Sequence, residues 1–150
     1  MGDFQIAQIN IARMKGVNID DPIMKEFTDN LDRVNELAES SKGFVWRLKD
    51  DSNNATSINP YNDVQVLINI SVWESIEALE EYTYNTFHTE YLRRRKEWFN
   101  SFGKATYAIW WISAGNHPTI EEAMDRLDYL QKNGPTPQAF DFKKRFMPTT

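Results

Sequence analysis

The feature that most constrains the fold is a strict alternation of side chains between residues 64 and 73. One set is β-branched and apolar throughout, and the other mixes amides, a hydroxyl and larger apolar groups. A period of two is typical of a β-strand, whose successive side chains point to opposite faces of the sheet. The pattern predicts a strand with one dry face and one partly polar face. The dry face holds Val64, Val66, Ile68, Ile70 and Val72, and the mixed face holds Gln65, Leu67, Asn69, Ser71 and Trp73.

Residues 4–13, 44–49 and 106–113 also have strand patterns. In the first, the amides of Gln8 and Asn10 share one face with Ile6, opposite Ala7, Ile9 and Ile11. These amides indicate an edge strand, a hydrogen-bonded structural amide, or a face that meets a pocket. In the second, Phe44, Trp46 and Leu48 alternate with Val45, Arg47 and Lys49, and we expect each set to share a face. The intervening residues 50–63 predict a solvated polar loop.

Helical spacing of apolar residues follows three capping signals. Asp21-Pro22 begins a helix whose apolar face we assign to Ile23, Phe27, Leu31, Val34 and Ala38. Ser75 begins a second helix, which we expect to break near residues 82–86 and to continue to residue 101. Thr119 and Glu122 form a capping box for a third helix, and the tail at residues 140–146 predicts an edge strand or arm.

The resulting order, β-α-β-β-α-β with an additional C-terminal helix, predicts an α+β protein of the ferredoxin-like, split βαβ type. We expect a single domain over residues 1–150 with a four-stranded antiparallel sheet, the helix and tail at about 118–150 being additions. Helices on one side of this sheet would leave the β-branched face open. An open apolar face of this size is unfavourable in water, so we expect a second subunit to cover it and predict a homodimer.

Composition excludes several classes of function. The net charge of −5 argues against binding to nucleic acid or to an anionic membrane, and the basic residues 93–96 point in different directions around one helical turn. The absence of cysteine removes thiol chemistry and is typical of the reducing cytoplasm, and a dedicated metal site is not expected. No apolar run is long enough to span a membrane, and no signal-peptide pattern is present. Phosphate-loop, dinucleotide and hydrolase motifs are absent as well.

Six segments of the sequence carry a resemblance to a known family. They are Trp73-Glu74-Ser75, the run from His88 to Arg95, Trp98-Phe99, Trp110-Trp111, the run from Gly115 to Thr119, and Gly134-Pro135-Thr136-Pro137. These segments resemble one bacterial family of the dimeric α/β-barrel superfamily, known chiefly as a domain of unknown function, and the resemblance covers nearly the whole chain. That superfamily includes antibiotic-biosynthesis monooxygenases and haem-degrading monooxygenases.

The resemblance implies a site. Members of the superfamily that work without a cofactor, and those that degrade haem, use an asparagine on the first strand, a tryptophan at the end of the third and a histidine on the following helix. Asn10, Trp73 and His88 occupy those places here, with His88 further from the tryptophan than in those enzymes.

Cofactor-free oxygenation requires a base, a hydrogen-bond donor for the oxyanion and a dry aromatic cavity. His88 could be the base and Asn10 the donor, with Trp73 among the walls. Tyr91 and Trp98 would add further walls, and Arg95, two helical turns after His88, could meet an acidic group of the substrate. Alternatively, His88 is a hydrogen-bonded structural residue, Trp73 and Trp98 belong to the core or to a dimer contact, and His117 is structural or solvated.

Three functional hypotheses remain. The first is a cofactor-independent, monooxygenase-like enzyme that acts on a small aromatic or polyketide-like molecule. The second is a non-catalytic dimer that binds a small ligand in an aromatic cavity. The third is a haem-binding or haem-degrading protein with His88 as the axial ligand.

Overall fold

A computed structural model of the chain describes residues 3–49, 63, 65–84, 93–94, 97–100 and 104–148. A short 3-10 turn at Pro22–Met24 leads into the first helix. The elements, in chain order, are β1 (Phe4–Met14), α1 (Lys25–Ser40), β2 (Phe44–Arg47), β3 (Val66–Trp73), α2 (Ile76–Tyr84), β4 (Phe99–Asn100), β5 (Tyr107–Ser113) and α3 (Ile120–Asn133).

The sheet has the strand order β2-β3-β1-β5, with every neighbouring pair antiparallel. This is the order of the ferredoxin-like split βαβ fold, so the predicted α+β class is confirmed. The predicted four strands become five among the described residues, because β4 pairs with the last two residues of β1. Phe99 and Asn100 therefore lie in a strand and not in the predicted helix, which was wrong for these positions.

The predicted caps are confirmed. The carboxylate of Asp21 accepts a hydrogen bond from the backbone N–H of Ile23, and the Thr119 hydroxyl accepts one from the backbone N–H of Glu122 at 3.0 Å. Ile23 itself is 49% exposed, whereas Met24 is fully buried, so the apolar face of this helical segment begins one residue later than the spacing predicts.

The faces of β1 and β3 are those predicted. The β-branched residues of β3 share one apolar cluster with Ala7, Ile9 and Ile11, and Ala123, Leu127 and Leu130 of α3 belong to the same cluster. We call this side of the sheet the α3 face. The sequence led us to expect that the α3 face would be open. In the structure, the chain's own C-terminal helix covers it. Its coverage removes the reason for placing a second subunit there.

The alternation expected in β2 was also wrong. Phe44 pairs with Trp73, Trp46 pairs with Val72 and Arg47 pairs with Ser71, so Val45 is an extra residue in the register. A β-bulge of this kind puts two residues opposite one partner and changes which side chains share a face. Phe44 and Arg47 consequently lie on the side of the sheet opposite the α3 face. Trp46 lies on the α3 face, where His117 stacks on it at 4.6 Å between ring centroids.

Candidate functional site

A cavity of about 510 Å³ lies between the sheet and the two helices α1 and α2. The mixed faces of β1 and β3 form its floor, together with Arg47 of β2 and Tyr107 of β5. The apolar residues of α1, among them Phe27, Leu31 and Val34, line the opposite side. A volume of this size is typical of sites for small organic ligands.

Two rows of side chains cross the floor at right angles to the strands. Register places Arg47 of β2 beside Ser71 of β3, and Ser71 beside Gln8 of β1. The second row lies two residues along each strand, with Asn69 of β3 beside Asn10 of β1. Tyr107 of β5 completes the second row, because it pairs with Asn10. Period-two alternation on antiparallel strands therefore gathers six polar side chains on one surface.

Hydrogen bonds join the two rows. Gln8 Nε2 donates to Asn69 Oδ1 at 2.6 Å and to Ser71 Oγ at 2.8 Å. The indole Nε1 of Trp73 also donates to Ser71 Oγ, at 2.9 Å. A hydroxyl oxygen has two lone pairs and one proton. Since both lone pairs of Ser71 accept hydrogen bonds, its O–H is the part of the hydroxyl that can make a further bond, as a donor.

Arg47 is the one ionised side chain among the described residues that line the cavity. It is 5% exposed, and its Nε donates to the carboxylate of Glu39 on α1 at 3.0 Å. The Glu39 side chain is 38% exposed, so it lies on the solvent side of the pair. The chain carries a net charge of −5, yet this surface carries a positive charge.

Aromatic rings form much of the remaining wall. Trp73 is fully buried, stacks on Tyr82 of α2 with 5.0 Å between ring centroids, and meets the edge of Phe44 at 5.4 Å. Burial raises the pKa of Tyr82 to about 12, although the charge of Arg47 acts in the opposite direction. The Tyr82 hydroxyl is therefore protonated at neutral pH.

The C-terminal tail closes one side of the cavity. The backbone N–H and C=O of Phe140 both bond to Ile109 of β5, each at 2.9 Å, which confirms the predicted arm along the sheet. Phe142 lines the cavity, and its ring centroid lies 5.6 Å from that of Tyr107. Further along, Arg145 forms an ion pair with Glu80 of α2. The tail thereby connects the β5 edge to α2.

The structure brings together two of the six predicted site residues. Asn10 and Trp73 both line the cavity. Trp98 is 3% exposed in a cluster with Met14 and Met24, and is absent from the described residues that line the cavity. The remaining three predicted residues, His88, Tyr91 and Arg95, lie outside the described residues.

Sequence reasoning did not name Gln8, Asn69, Ser71 or Arg47 as site residues. For the first three a signal existed, because they share a strand face with Asn10 or Trp73. Arg47 had no such signal, since simple alternation assigns it to the opposite side from Phe44.

Neither a metal cluster nor a membrane helix is found in the part of the chain that the structure describes. Within these residues, no group of three or more histidine, aspartate or glutamate side chains is arranged to hold a metal ion. None of the described helices is long and apolar enough to cross a membrane.

Comparison with known families shows which family the chain belongs to. The model of a family described as a domain of unknown function, DUF3291, matches residues 5–150. The chain belongs to this family. The sequence-based resemblance to a domain of unknown function is thus confirmed, and no curated protein matches the chain.

Solved structures with a similar arrangement share little sequence with this DUF3291 protein. They include SnoaB, a cofactor-independent oxygenase from Streptomyces nogalater, with 13% identity, a TM-score of 0.49, and coverage of 79% of this chain and 97% of that one. A protein of unknown function from Nitrosomonas europaea, NE2512, has 9% identity, the same TM-score and the same coverage. PA3566 from Pseudomonas aeruginosa has 9% identity, a TM-score of 0.48, and coverage of 79% and 98%.

Proposed function

We propose that the cavity binds a small aromatic or polyketide-like molecule and that the protein acts on it as a cofactor-independent, monooxygenase-like enzyme. The observation that carries this proposal is the combination of an aromatic wall with a floor of polar side chains, in a cavity of about 510 Å³. Rings such as those of Trp73, Tyr82 and Phe44 suit a planar apolar ligand. The polar rows would fix its orientation.

The proposed reaction needs a substrate with an acidic CH₂ group that is conjugated with a carbonyl group. Loss of the proton gives an enolate, whose electrons pass to O₂ to form a carbon–oxygen bond and a peroxide. Departure of water then leaves a new carbonyl, so one CH₂ and one O₂ become one C=O and one H₂O. Donors held near the enolate oxygen would favour its formation because they are already oriented before the charge develops.

Within this scheme, we propose Asn10 as a donor to the enolate oxygen and Trp73 as a wall against the ring system. His88 remains the proposed base, and Tyr91 and Arg95 remain proposed substrate-binding residues. The position of Asn10 on the floor, beside Asn69 and Tyr107, supports its role. Binding without reaction is the second candidate function. It is favoured by one observation: the described residues lining the cavity include no aspartate, glutamate, histidine or lysine that could act as a base.

A homodimer is retained as a further proposal. Because α3 covers the apolar face of the sheet, the subunits would meet through other surfaces than the one inferred from the sequence.

Oxygen consumption with a hydroxyanthrone as the probe tests the enzyme proposal. We expect O₂ uptake, with formation of the corresponding quinone, above the rate without protein. Asn10→Ala should lower kcat/KM by about a hundredfold or more, as loss of an oxyanion donor does in other enzymes. Asn116→Ala, at an exposed turn, is the matched control and should leave the rate unchanged.

The outcomes separate the two candidate functions. Saturable binding of the hydroxyanthrone without O₂ uptake would refute the enzyme and support the ligand-binding protein. Turnover that is equal in the wild type and in Asn10→Ala would remove Asn10 from the chemistry.

A further inference from the structure

Asn35 is a buried amide in the wall that α1 contributes to the cavity. Its side chain lines the cavity and is 8% exposed. Leu31 lies four residues before it and Ala38 three residues after it, so the helical period places the amide on the same stripe as these side chains. The other α1 residues that line the cavity are all apolar: Phe27, Leu31, Val34 and Ala38. Asn35 therefore puts a polar group in the middle of an otherwise apolar wall.

The amide of Asn35 has no hydrogen-bond partner in the part of the chain that the structure describes. Its polar atoms are nonetheless accessible, since the one fully enclosed side-chain atom without a partner among the described residues is Trp110 Nε1. Because Asn35 is almost enclosed and lines the cavity, the space that its amide meets is the cavity.

An unpaired amide in this position constrains the ligand. A carboxamide has two N–H donors and a carbonyl acceptor, and a buried group of this kind is costly when it is left without a partner. A ligand that fills the cavity excludes water from the wall formed by α1. Such a ligand must bring a hydrogen-bonding group of its own to Asn35, or it loses affinity.

A neighbouring ion pair holds Asn35 in position. Glu39, one helical turn further along α1, accepts a hydrogen bond from Arg47 of β2 at 3.0 Å. This bond ties the helix to the sheet next to the amide, which reduces the cost of ordering Asn35 when a ligand binds. Asn35 faces the cavity from the helix layer, whereas Asn10 faces it from the sheet. Amides on opposite layers would meet different edges of one ligand.

We infer that Asn35 determines specificity by donating a hydrogen bond to a second oxygen of the ligand, a carbonyl oxygen. This inference rests on the proposed function, because it specifies the chemical class of the molecule in the same cavity. The oxygen proposed at Asn10 is the first, and the ring system lies between the two. An acceptor suits Asn35 better than a donor, because two of the three hydrogen-bonding groups of a carboxamide are N–H groups. The ligand is thus an aromatic compound with oxygen on two edges, the arrangement of a quinone.

Equilibrium dialysis of the full-length protein with 1,4-naphthoquinone and with naphthalene tests the inference. The two probes have the same carbon skeleton, and the quinone adds a carbonyl oxygen on each of two edges. The chain has no cysteine, so the quinone cannot alkylate a thiol. In Asn35→Leu, the affinity for the quinone should fall about threefold to tenfold, as expected for one neutral hydrogen bond. The affinity for naphthalene should change less than about twofold, because naphthalene makes no such bond.

Asn30→Leu is the matched control, because it makes the same substitution in the same helix. The Asn30 amide donates to the backbone C=O of Glu26, and Asn30 is absent from the described residues that line the cavity. This variant should leave both affinities unchanged. The free energy of unfolding gives a second readout. Asn35→Leu should not lower it, since an apolar group of similar size replaces an unpaired amide.

The outcomes distinguish this inference from the proposed function. An unchanged affinity for the quinone in Asn35→Leu would overturn the role of Asn35 and leave the proposed function intact. Infrared spectroscopy of the quinone bound to the wild type decides the question if Asn35→Leu does not fold. We expect both carbonyl groups to absorb at lower frequency than in hexane, and a carbonyl that keeps its hexane frequency would overturn the inference. Failure of both probes to bind the wild type would refute the proposed function, and this inference with it.

Discussion

Removal of the Ser71 hydroxyl tests whether the hydrogen bonds of the floor stabilise the fold. In Ser71→Ala, the Trp73 indole N–H loses the acceptor that lies 2.9 Å away, and this indole belongs to a fully buried side chain. Gln8 loses one acceptor but keeps Asn69. A buried donor left without an acceptor costs about 1–3 kcal/mol. We therefore expect the free energy of unfolding to fall by about 2 kcal/mol.

A double-mutant cycle separates the indole from the rest of the effect. In a Trp73→Phe background the buried N–H is absent, so Ser71→Ala should remove only the bond from Gln8, at a cost of about 0.5–1.5 kcal/mol. The coupling between positions 71 and 73 should then be on the order of 1 kcal/mol. Urea unfolding followed by far-ultraviolet circular dichroism measures all four proteins without depending on tryptophan fluorescence.

Ser113→Ala is the control for this cycle, because Ser113 is an exposed residue at the end of β5. It should change the free energy of unfolding by less than about 0.5 kcal/mol. The reasoning is refuted if Ser71→Ala costs no more than this control, or if its cost is the same in both backgrounds.

Two further predictions concern pH and the tail. Burial raises the pKa of Tyr82 to about 12, whereas tyrosines of the unfolded chain titrate near 10, so the stability contributed by Tyr82 is present below pH 10 and is lost as the pH rises toward 12. In Tyr82→Phe, the free energy of unfolding should decrease less steeply with pH above pH 10 than it does in the wild type. Urea titrations at pH 9 to 11.5 measure this dependence, and the same steepness in both proteins would contradict the prediction. In the tail, Phe140→Ala should cost about 3–5 kcal/mol because the ring is fully buried. Arg145→Ala should cost less than about 1 kcal/mol, since its ion pair with Glu80 is partly solvated. A larger loss of stability in Arg145→Ala than in Phe140→Ala, measured by thermal unfolding, would refute the conclusion that the buried ring holds the tail in place.

Local patterns predicted the elements of the fold more successfully than their contacts. The alternation in β3 and the caps at Asp21 and Thr119 depend on neighbours in the chain, and the structure has them as predicted. The apolar stripe of α3 was also predicted from the sequence. The surface that this helix covers was not predicted, because the docking of a helix depends on the whole sheet. Phe99 and Asn100 illustrate the same limit: their helical spacing was overridden by pairing with the far end of β1.

The residues of the candidate site were also predicted only in part. Asn10 and Trp73 were expected at the site, and the strand register brings them to one cavity. Trp98 has helical spacing from Tyr91 in the sequence, but it packs beside Met14 and Met24, since the chain has left the helix by that point. Arg47 could not be predicted, because a one-residue irregularity in β2 leaves no mark in the pattern of apolar residues.

That irregularity decides which side of the sheet carries the charge of Arg47. Uninterrupted pairing from Phe44 and Trp73, with Val45 opposite Val72, would place Trp46 opposite Ser71 and Arg47 opposite Ile70. The guanidinium would then lie against the aliphatic side chains of the α3 face. Because Val45 is the extra residue, deletion of its codon would leave Trp46 opposite Val72 and Arg47 opposite Ser71. One inserted residue thus gives the cavity a cation that regular pairing of the same side chains would place on the other side of the sheet.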